Sequence, residues 1–395
     1  MKYLCRVCNS EMKQFLDLGQ QPIANRFLSY ADDPDDEIFY HLVLCFCPDC
    51  YTVQLGTCPK SIDVFNRNYP FFTSTSNYMK EHLKILAQGI KSMFKPHFIV
   101  EIGSNDGTFL ENFKDDNHLG IEPSGSVAKE SIKKGINTLG YFFDESVADW
   151  VISERGQADI IVSTNVFPHI SNRITVLKGI KKLLSNGGTW IDEEVYLQDI
   201  INKVSYDQFY NEHVFYATLT SYKKMFDMFG LKIINYQFIG VHGGSIRFYI
   251  THQIDNNMPL STEFSWIDEE ICSEDLFDFI RLKRFSEKVE ESRYKLLSKL
   301  GLLKGKGEEI VGYGATAKSS TILNYCGINS NVISRIYDTT PCKHNTLSPG
   351  MHIPIVSYER FHADNPKNVV LFAWNHATEI FEKEKGRDIN WILPI

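Results

Sequence analysis

Twice in this 395-residue chain an apolar strand runs into a glycine turn and then into a helical stretch, a repetition few architectures accommodate. The first unit is Phe98-Ile-Val-Glu-Ile102 followed by Gly103-Ser-Asn-Asp-Gly107, and the second is Glu309-Ile-Val-Gly-Tyr-Gly314. Around the first, a strand ends near Gly120-Ile-Glu122, a helical pattern spans Ser126 to Lys134, and Asp159-Ile-Ile-Val-Ser163 reads as a buried strand. A further helix runs from Ile174 to Leu184, closed by Asn186-Gly-Gly188. Strands alternating with helices at this interval predict a mostly parallel, doubly wound α/β sheet. Val332 to Tyr337 and Val369 to Ala373 supply strands for a second, smaller α/β domain around the second turn. Between the two, residues 264–300 contain no Gly or Pro and read as a long charged helix, expected to be a connector rather than a core element.

A chain of this length exceeds one ordinary core. The expected division is 1–68, 69–255 and 256–395. The net charge of −8, with lysine and arginine scattered, is unlike the basic footprint of a nucleic-acid binder. There is no 18-residue apolar run and no charged-then-apolar leader, so the expectation is a cytoplasmic chain without a membrane span.

Six of the nine cysteines fall within the first 58 residues. Such clustering in a reducing compartment points to metal rather than disulfides. Cys5-Arg-Val-Cys8 and Cys47-Pro-Asp-Cys50 form two C-x2-C knuckles separated by 38 residues. The two-residue gap lets both thiolates of a knuckle reach one tetrahedral ion, and two knuckles close a structural zinc site with no open position. Cys45 competes with Cys47, but only Cys47 keeps the two-residue spacing to Cys50.

The first glycine turn is a candidate cofactor site. Its glycines admit close backbone approach, and an acidic residue at the end of the next strand, Glu122, is placed to accept from ribose hydroxyls. A nicotinamide fingerprint wants G-x-G-x-x-G; here the pattern is Glu101-x-Gly103-x-x-x-Gly107, which looks like the S-adenosylmethionine (SAM) motif of class I methyltransferases. Further on, Tyr210, Glu212 and His213 fall within four residues. Histidine suits proton abstraction near neutral pH, and a tyrosine hydroxyl can donate to a developing oxyanion. His169 follows the 159–163 strand at its C-terminal end, where open α/β sheets bind ligands.

Together these residues resemble the deoxysugar C-methyltransferases that act on nucleotide-linked 4-keto sugars, over nearly the whole chain. The resemblance is carried by the knuckles, by Tyr69-Pro-Phe-Phe-Thr-Ser-Thr-Ser76, by Val100-Glu-Ile-Gly-Ser-Asn-Asp-Gly107, and by Asn165-Val-Phe-Pro-His169. It continues through Tyr210-Asn-Glu-His213, His242-Gly-Gly-Ser-Ile-Arg247, Gly312-Tyr-Gly-Ala-Thr-Ala-Lys318, Leu323-Asn-Tyr-Cys-Gly327, Pro349-Gly-Met-His-Ile-Pro354 and Trp374-Asn375. It implies a small N-terminal zinc-binding domain, a class I methyltransferase Rossmann-like central domain, and a C-terminal Rossmann-like α/β domain that binds a nucleotide sugar.

The implied chemistry is methylation at C3 of a nucleoside-diphosphate-linked 4-keto sugar. His213 would remove the C3 proton, with Tyr210, His169 and Tyr69 as donors to the enolate oxygen. Glu212 would orient His213 or a sugar hydroxyl, and Tyr78 is a weaker candidate than Tyr69. SAM would contact Glu101, Gly103, Asn105, Gly107, Glu122 and Asn165. The sugar nucleotide would contact His242, Ser245, Arg247 and Lys318, with Trp374, Asn375 and His376 near the base. The chain departs from the family pattern at Val195, where proline is usual, and at Thr316, Ser319 and Ser320. Transfer to oxygen or nitrogen of another small molecule, and a non-catalytic zinc-bearing scaffold, are the competing readings. Three domains suffice to enclose a site within one chain, so a monomer is compatible with the expectation.

Overall fold

The structure is a computed structural model that describes residues 2–65, 71–216, 218–253 and 279–395. The N-terminal part contributes β1 (Lys13–Pro22), β2 (Leu28–Ser29), β3 (Phe39–Phe46) and β4 (Val53–Leu55). The middle contributes β5 (Ile99–Ile102), β6 (His118–Ile121), β7 (Thr138–Leu139), β8 (Ala158–Thr164), β9 (Leu184–Val195), β10 (Phe215–Tyr216), β11 (Leu231–Ile239) and β12 (Ser245–His252). The C-terminal part contributes β13 (Ile310–Tyr313), β14 (Ile336–Asp338), β15 (Thr346–Leu347), β16 (Pro354–Ser357), β17 (Asn368–Leu371) and β18 (Asn390–Ile392).

The central sheet has the order β11-β12-β9-β8-β5-β6-β7. Its strands are parallel except that β12 runs antiparallel to both β9 and β11. Helices such as Asn77–Met93, Gly125–Lys133 and Arg173–Leu183 cover its faces through apolar stripes. This is the class I methyltransferase fold, and strand order reverses beside β5, where open α/β sheets form their ligand crevice. The C-terminal sheet, β18-β17-β13-β14-β16-β15-β2, is a second parallel core with an antiparallel edge.

The N-terminal part is not a detached module. Its antiparallel sheet runs β1-β3-β4-β10, so its last strand comes from the middle of the chain, and β2 pairs with β15 of the C-terminal sheet.

Three expectations are corrected. After Gly107 the chain forms only a 3-10 turn at Leu110–Phe113, because Asp115, Asp116 and Asn117 follow and their side chains compete with helical backbone bonds. The Asn186-Gly-Gly188 stretch is an irregular excursion at the start of β9, where Ala158 pairs with Leu184 and Ile160 already with Thr189. The long helix, described here as Phe279–Gly305, is a core element: Leu282, Phe285, Val289, Leu296 and Leu300 are buried on one stripe against the N- and C-terminal sheets. Residues 264–278 of that expectation lie outside the described residues.

Beside Phe167 and Phe215 lies a buried cation. Arg173 stands over the rings of Phe215 at 3.9 Å and Phe167 at 4.2 Å, donates to the Phe167 carbonyl at 2.9 Å, and lies 3.9 Å from Glu194. Removing one partner of such a group leaves the other charge uncompensated, a loss of about 3–5 kcal/mol. Arg173→Ala should therefore lower the denaturation midpoint of the zinc-loaded chain strongly. An unchanged midpoint in guanidinium unfolding would show that the cluster carries no such weight.

Candidate active site and metal centre

The two cysteine knuckles fold alike. Asn9 N–H donates to the Cys5 carbonyl and Tyr51 N–H to the Cys47 carbonyl, both at 2.9 Å, and Asn9 and Tyr51 both take positive φ. These matching turns aim Cys5, Cys8, Cys47 and Cys50 at one point, with all four sulfurs within 4.8 Å of one another. Zn–S bonds of about 2.3 Å require tetrahedral sulfurs about 3.8 Å apart, so the cluster fits one zinc ion and leaves it no open position. Cys45 is outside the cluster, and burial pushes its thiol up to about 12.

A cavity of about 540 Å³ opens between the central and C-terminal sheets, with residues of the N-terminal part on its wall. Its first end is the glycine turn after β5. Gly103 sits at φ +69°, and a Cβ there would come within 2.3 Å of Val166 Cγ2, so only glycine fits. Glu101, at the strand end, is buried, which pushes its carboxyl well above the ordinary range, and its Oε2 has no protein partner. Asn165 Oδ1 is likewise buried without a partner. Glu122, just past β6, accepts from Asn105 N–H at 3.0 Å and Ser124 N–H at 2.7 Å. The segment entering the domain lies over this turn, with Thr73 N–H donating to Asn105 Oδ1 at 2.9 Å and Ser74 N–H to Asp106 Oδ2 at 3.1 Å.

The same wall carries Tyr210, Glu212, His169 and His242. His213 stands directly behind it: the Tyr210 hydroxyl and His213 Nε2 are 2.8 Å apart, and the His169 and His213 rings are 4.5 Å apart. Burial pushes the His213 imidazole well below its ordinary pKa and those of His169 and His242 down to about 4, so all three are neutral near pH 7. Desolvation disfavours the imidazolium, and among the described residues no carboxylate hydrogen-bonds any of the three rings to oppose it.

The far end is built by the C-terminal sheet's edge. Lys318, in the first turn of helix Ala317–Cys326, donates to the His242 carbonyl at 3.2 Å and lies 4.7 Å over the Trp374 ring. Lys343, Asn375 and His376 complete this end.

Several expected residues stand elsewhere. Arg247 on β12 is locked to its cross-strand partner Glu193 at 2.5 Å, and Ser245 donates to the Val241 carbonyl; neither is on the cavity wall. Gly107 is also off the wall, its φ of +77° and its tight approach to Ser131 serving the packing of the next helix. Glu212 does not orient His213. Its carboxyl, pushed up to about 7 by burial, is held by Asn25, whose N–H and Nδ2 donate at 3.1 and 2.9–3.0 Å. His169 Nδ1 donates to the Glu212 carbonyl at 2.9 Å, so that nitrogen is committed to the backbone. Trp374 backs Lys318 instead of lining the cavity, while Tyr78 is on the wall. Tyr69 lies outside the described residues. Asn25 and Lys343 were missed by sequence reasoning, because neither sits in a recognisable spacing.

Family models match this chain in three consecutive stretches. A zinc binding domain model covers residues 5–65, a methyltransferase domain model covers 77–236, and a C-methyltransferase C-terminal domain model covers 240–395. The protein is a SAM-dependent methyltransferase. It carries the domain set of the C-methyltransferase family with an N-terminal zinc-binding domain. The C-methyltransferase NovU of Streptomyces niveus is 27% identical over 387 residues, spanning 96% of this chain and 92% of that protein. Solved structures align with less than half of this methyltransferase. The PH0226 protein from Pyrococcus horikoshii OT3 covers 46% of this chain and 94% of its own, at 12% identity and a TM-score of 0.37. Magnesium protoporphyrin IX methyltransferase from Synechocystis PCC 6803 covers 44% and 83%, at 10% identity and 0.35.

The turn of the methyltransferase fits its cofactor on its own chemistry. Unpartnered Glu101 and Asn165 oxygens, a backbone that excludes Cβ at Gly103, and an acidic side chain after β6 form an acceptor-rich cradle. No helix among the described residues is long and apolar enough to cross a membrane.

The metal centre yields a paired test. Cys47→Ser should lose zinc and lower the yield of folded methyltransferase, because metal binding here is coupled to folding. Cys45→Ser should retain one zinc per chain by elemental analysis; zinc loss in that variant would move the ligand set.

Proposed function

We propose that this methyltransferase alkylates a carbon acid: C3, beside the C4 ketone, of a nucleoside-diphosphate-linked 4-keto deoxysugar. The observation that carries the reading is the Tyr210–His213 pair, a neutral imidazole hydrogen-bonded at 2.8 Å to a hydroxyl on the same wall as the SAM cradle. A ketone acidifies the neighbouring C–H bond, and a neutral histidine is in the form that accepts that proton. When bound, SAM supplies an electrophilic methyl carbon.

In this reading Glu101, Gly103, Asn105, Glu122 and Asn165 hold the cofactor, with Gly107 supporting the turn from behind. The sugar lies between Tyr210, Glu212, His169 and His242. Its diphosphate faces the N-terminus of helix Ala317–Cys326 and Lys343, where free backbone N–H groups and a cation suit an anion. Glu212, held by Asn25, presents its remaining lone pairs to a sugar hydroxyl, and His169 Nε2 offers a second acceptor. Arg247 and Ser245 support the wall through β12. Resemblance to NovU over nearly both full lengths supports carbon as the acceptor. The domain boundaries 1–68, 69–255 and 256–395 remain our division of the chain, with the nucleotide sugar assigned to the third.

The test uses dTDP-4-keto-6-deoxyglucose in deuterated water. The wild type should exchange the proton at C3 without SAM and, with SAM, form a C3-methyl product identified by NMR. His213→Ala should abolish exchange and turnover with SAM affinity nearly unchanged by calorimetry. Tyr210→Phe should keep exchange but slow it about 10- to 100-fold, since it loses only the hydroxyl that orients the base. Turnover retained in His213→Ala removes the base. Methylation at oxygen or nitrogen without exchange replaces the carbon-acid reading.

A further inference from the structure

The cavity holds two lysines whose surroundings differ, and a purely anion-binding role does not account for both. Lys343 is committed to its own domain: it donates to the Ala315 carbonyl at 2.8 Å, lies 3.9 Å from Asp338, and stands over the Phe27 ring. Its charge is compensated where it stands. Lys318 is placed toward the chemistry. Its one described hydrogen bond goes to the His242 carbonyl at 3.2 Å, which leaves two ammonium N–H groups. Its charge acts on His213, His242 and His376, and among the described residues no acid pairs with it within 4.0 Å. Asp207, fully buried in the loop that carries Tyr210, is its counter-charge at longer range, anchored by Trp374 Nε1 at 2.5 Å.

The proposed reaction needs an electrophile at the ketone oxygen, and a cation is a stronger donor there than a neutral hydroxyl. Tyr210 shares its hydroxyl with His213 Nε2 at 2.8 Å, and His169 Nδ1 is spent on the Glu212 carbonyl. We propose that Lys318 is that electrophile: its ammonium donates to the C4 oxygen and stabilises the enolate. This deepens the reading of the preceding subsection and rests on it.

The step balances. The C3–H bond breaks, its proton goes to the imidazole of His213, and its electron pair becomes the C3–C4 double bond while the C4 oxygen takes the negative charge. C3 then bonds to the incoming methyl carbon as the methyl–sulfur bond breaks, the C4 carbonyl re-forms, and the proton on His213 leaves to solvent. Charge placement favours this pairing. An imidazolium beside Lys318 alone would be repelled, but the enolate arises in the same step and lies between two cations. In a cavity of low dielectric, a charged donor to the developing oxyanion outweighs a neutral one. A lone oxyanion donor commonly contributes about 10²–10³ in rate.

The experiment measures solvent-deuterium exchange of dTDP-4-keto-6-deoxyglucose by the zinc-loaded full chain, without SAM, over a range of substrate concentrations. Lys318→Met should lower the exchange rate at saturating substrate about 100- to 1,000-fold, with little change in half-saturation. Lys318→Arg, which keeps the charge, should restore a good part of it. Lys343→Met should raise half-saturation. SAM affinity by calorimetry verifies folding of each variant, and n-butylamine added to Lys318→Ala provides a second route, with rescue of exchange expected. A saturated rate at wild-type level in Lys318→Met, with only half-saturation raised, overturns the proposal and returns Lys318 to the diphosphate. So does an Arg variant as slow as Met with no amine rescue. Failure of the wild type itself to exchange would instead sink the carbon-acid reading.

Discussion

The structure depends on a four-residue junction, Pro22 to Asn25, where all three parts of the chain meet. Asn211 Nδ2 donates to the Pro22 carbonyl at 2.6 Å and its Oδ1 accepts from Ala24 N–H at 3.3 Å. Asn25 takes the neighbouring Glu212 carboxyl, and Ser320 of the C-terminal helix donates to the Ala24 carbonyl at 2.8 Å. Thr321 of the same helix donates to the Phe209 carbonyl at 2.8 Å. The junction is the end of β1, whose partner β3 runs directly into the second cysteine knuckle. The metal centre thus stabilises more than its own fold. Through one strand pair it fixes the backbone that holds the Glu212 carboxyl.

That arrangement explains why so many titratable groups are buried around the cavity without salt bridges. His169, His213 and His242 are kept neutral by desolvation, and Glu212 and Asp207 are pushed up to about 7 and about 6 by the same cause. The raised carboxyls oppose folding at neutral pH, whereas the lowered histidines oppose it only as the pH falls below the ordinary histidine range. The opposing stabilisation comes from apolar cores on both sides and from fixed partners such as Asn25 and Trp374. Water would relieve the strain but also screen the interactions among these groups.

Much of this was legible in the sequence, and what was not has a common cause. Knuckle spacing determined the ligands and set Cys47 above Cys45 because two-residue turns are local geometry. Glu101, Gly103, Asn105, Glu122 and Asn165 were readable because strand ends carry them to one edge. His169, Tyr210, Glu212 and His242 also reach the wall. Errors arose where a side chain's partner is distant along the chain. Arg247 meets Glu193 across a strand pair, Glu212 meets Asn25 from 187 positions away, and the Phe279–Gly305 stripe finds its core on the N- and C-terminal sheets. Local pattern carries no information on such partners. The departures at Thr316, Ser319 and Ser320 show the same thing from the other side. Thr316 caps the helix by accepting from Ser319 N–H, Ser319 returns a bond to the Thr316 carbonyl, and Ser320 reaches Ala24. Val195 pairs with Ser245 in β9, a position where its N–H is compatible with the ladder. Ser319, Ser320 and Val195 act on packing, while Thr316 also lines the cavity.

Two parallel sheets facing one cavity give the architecture its logic. Ligands of open α/β sheets gather at the carboxyl ends of the strands, and here both sheets present that end to the same space: Gly103 follows β5, and Thr316 lies just beyond β13. Residues of the two edges then share one wall without either sheet moving, provided their separation is held. β10 in the N-terminal sheet, β2 in the C-terminal one and the helix Phe279–Gly305 against both supply that constraint. Positioning of reactants to within an ångström accounts for a large share of catalysis. In this chain that precision comes from interleaved domains rather than from a single core, so boundaries that look clean in sequence are crossed by strands in the folded molecule.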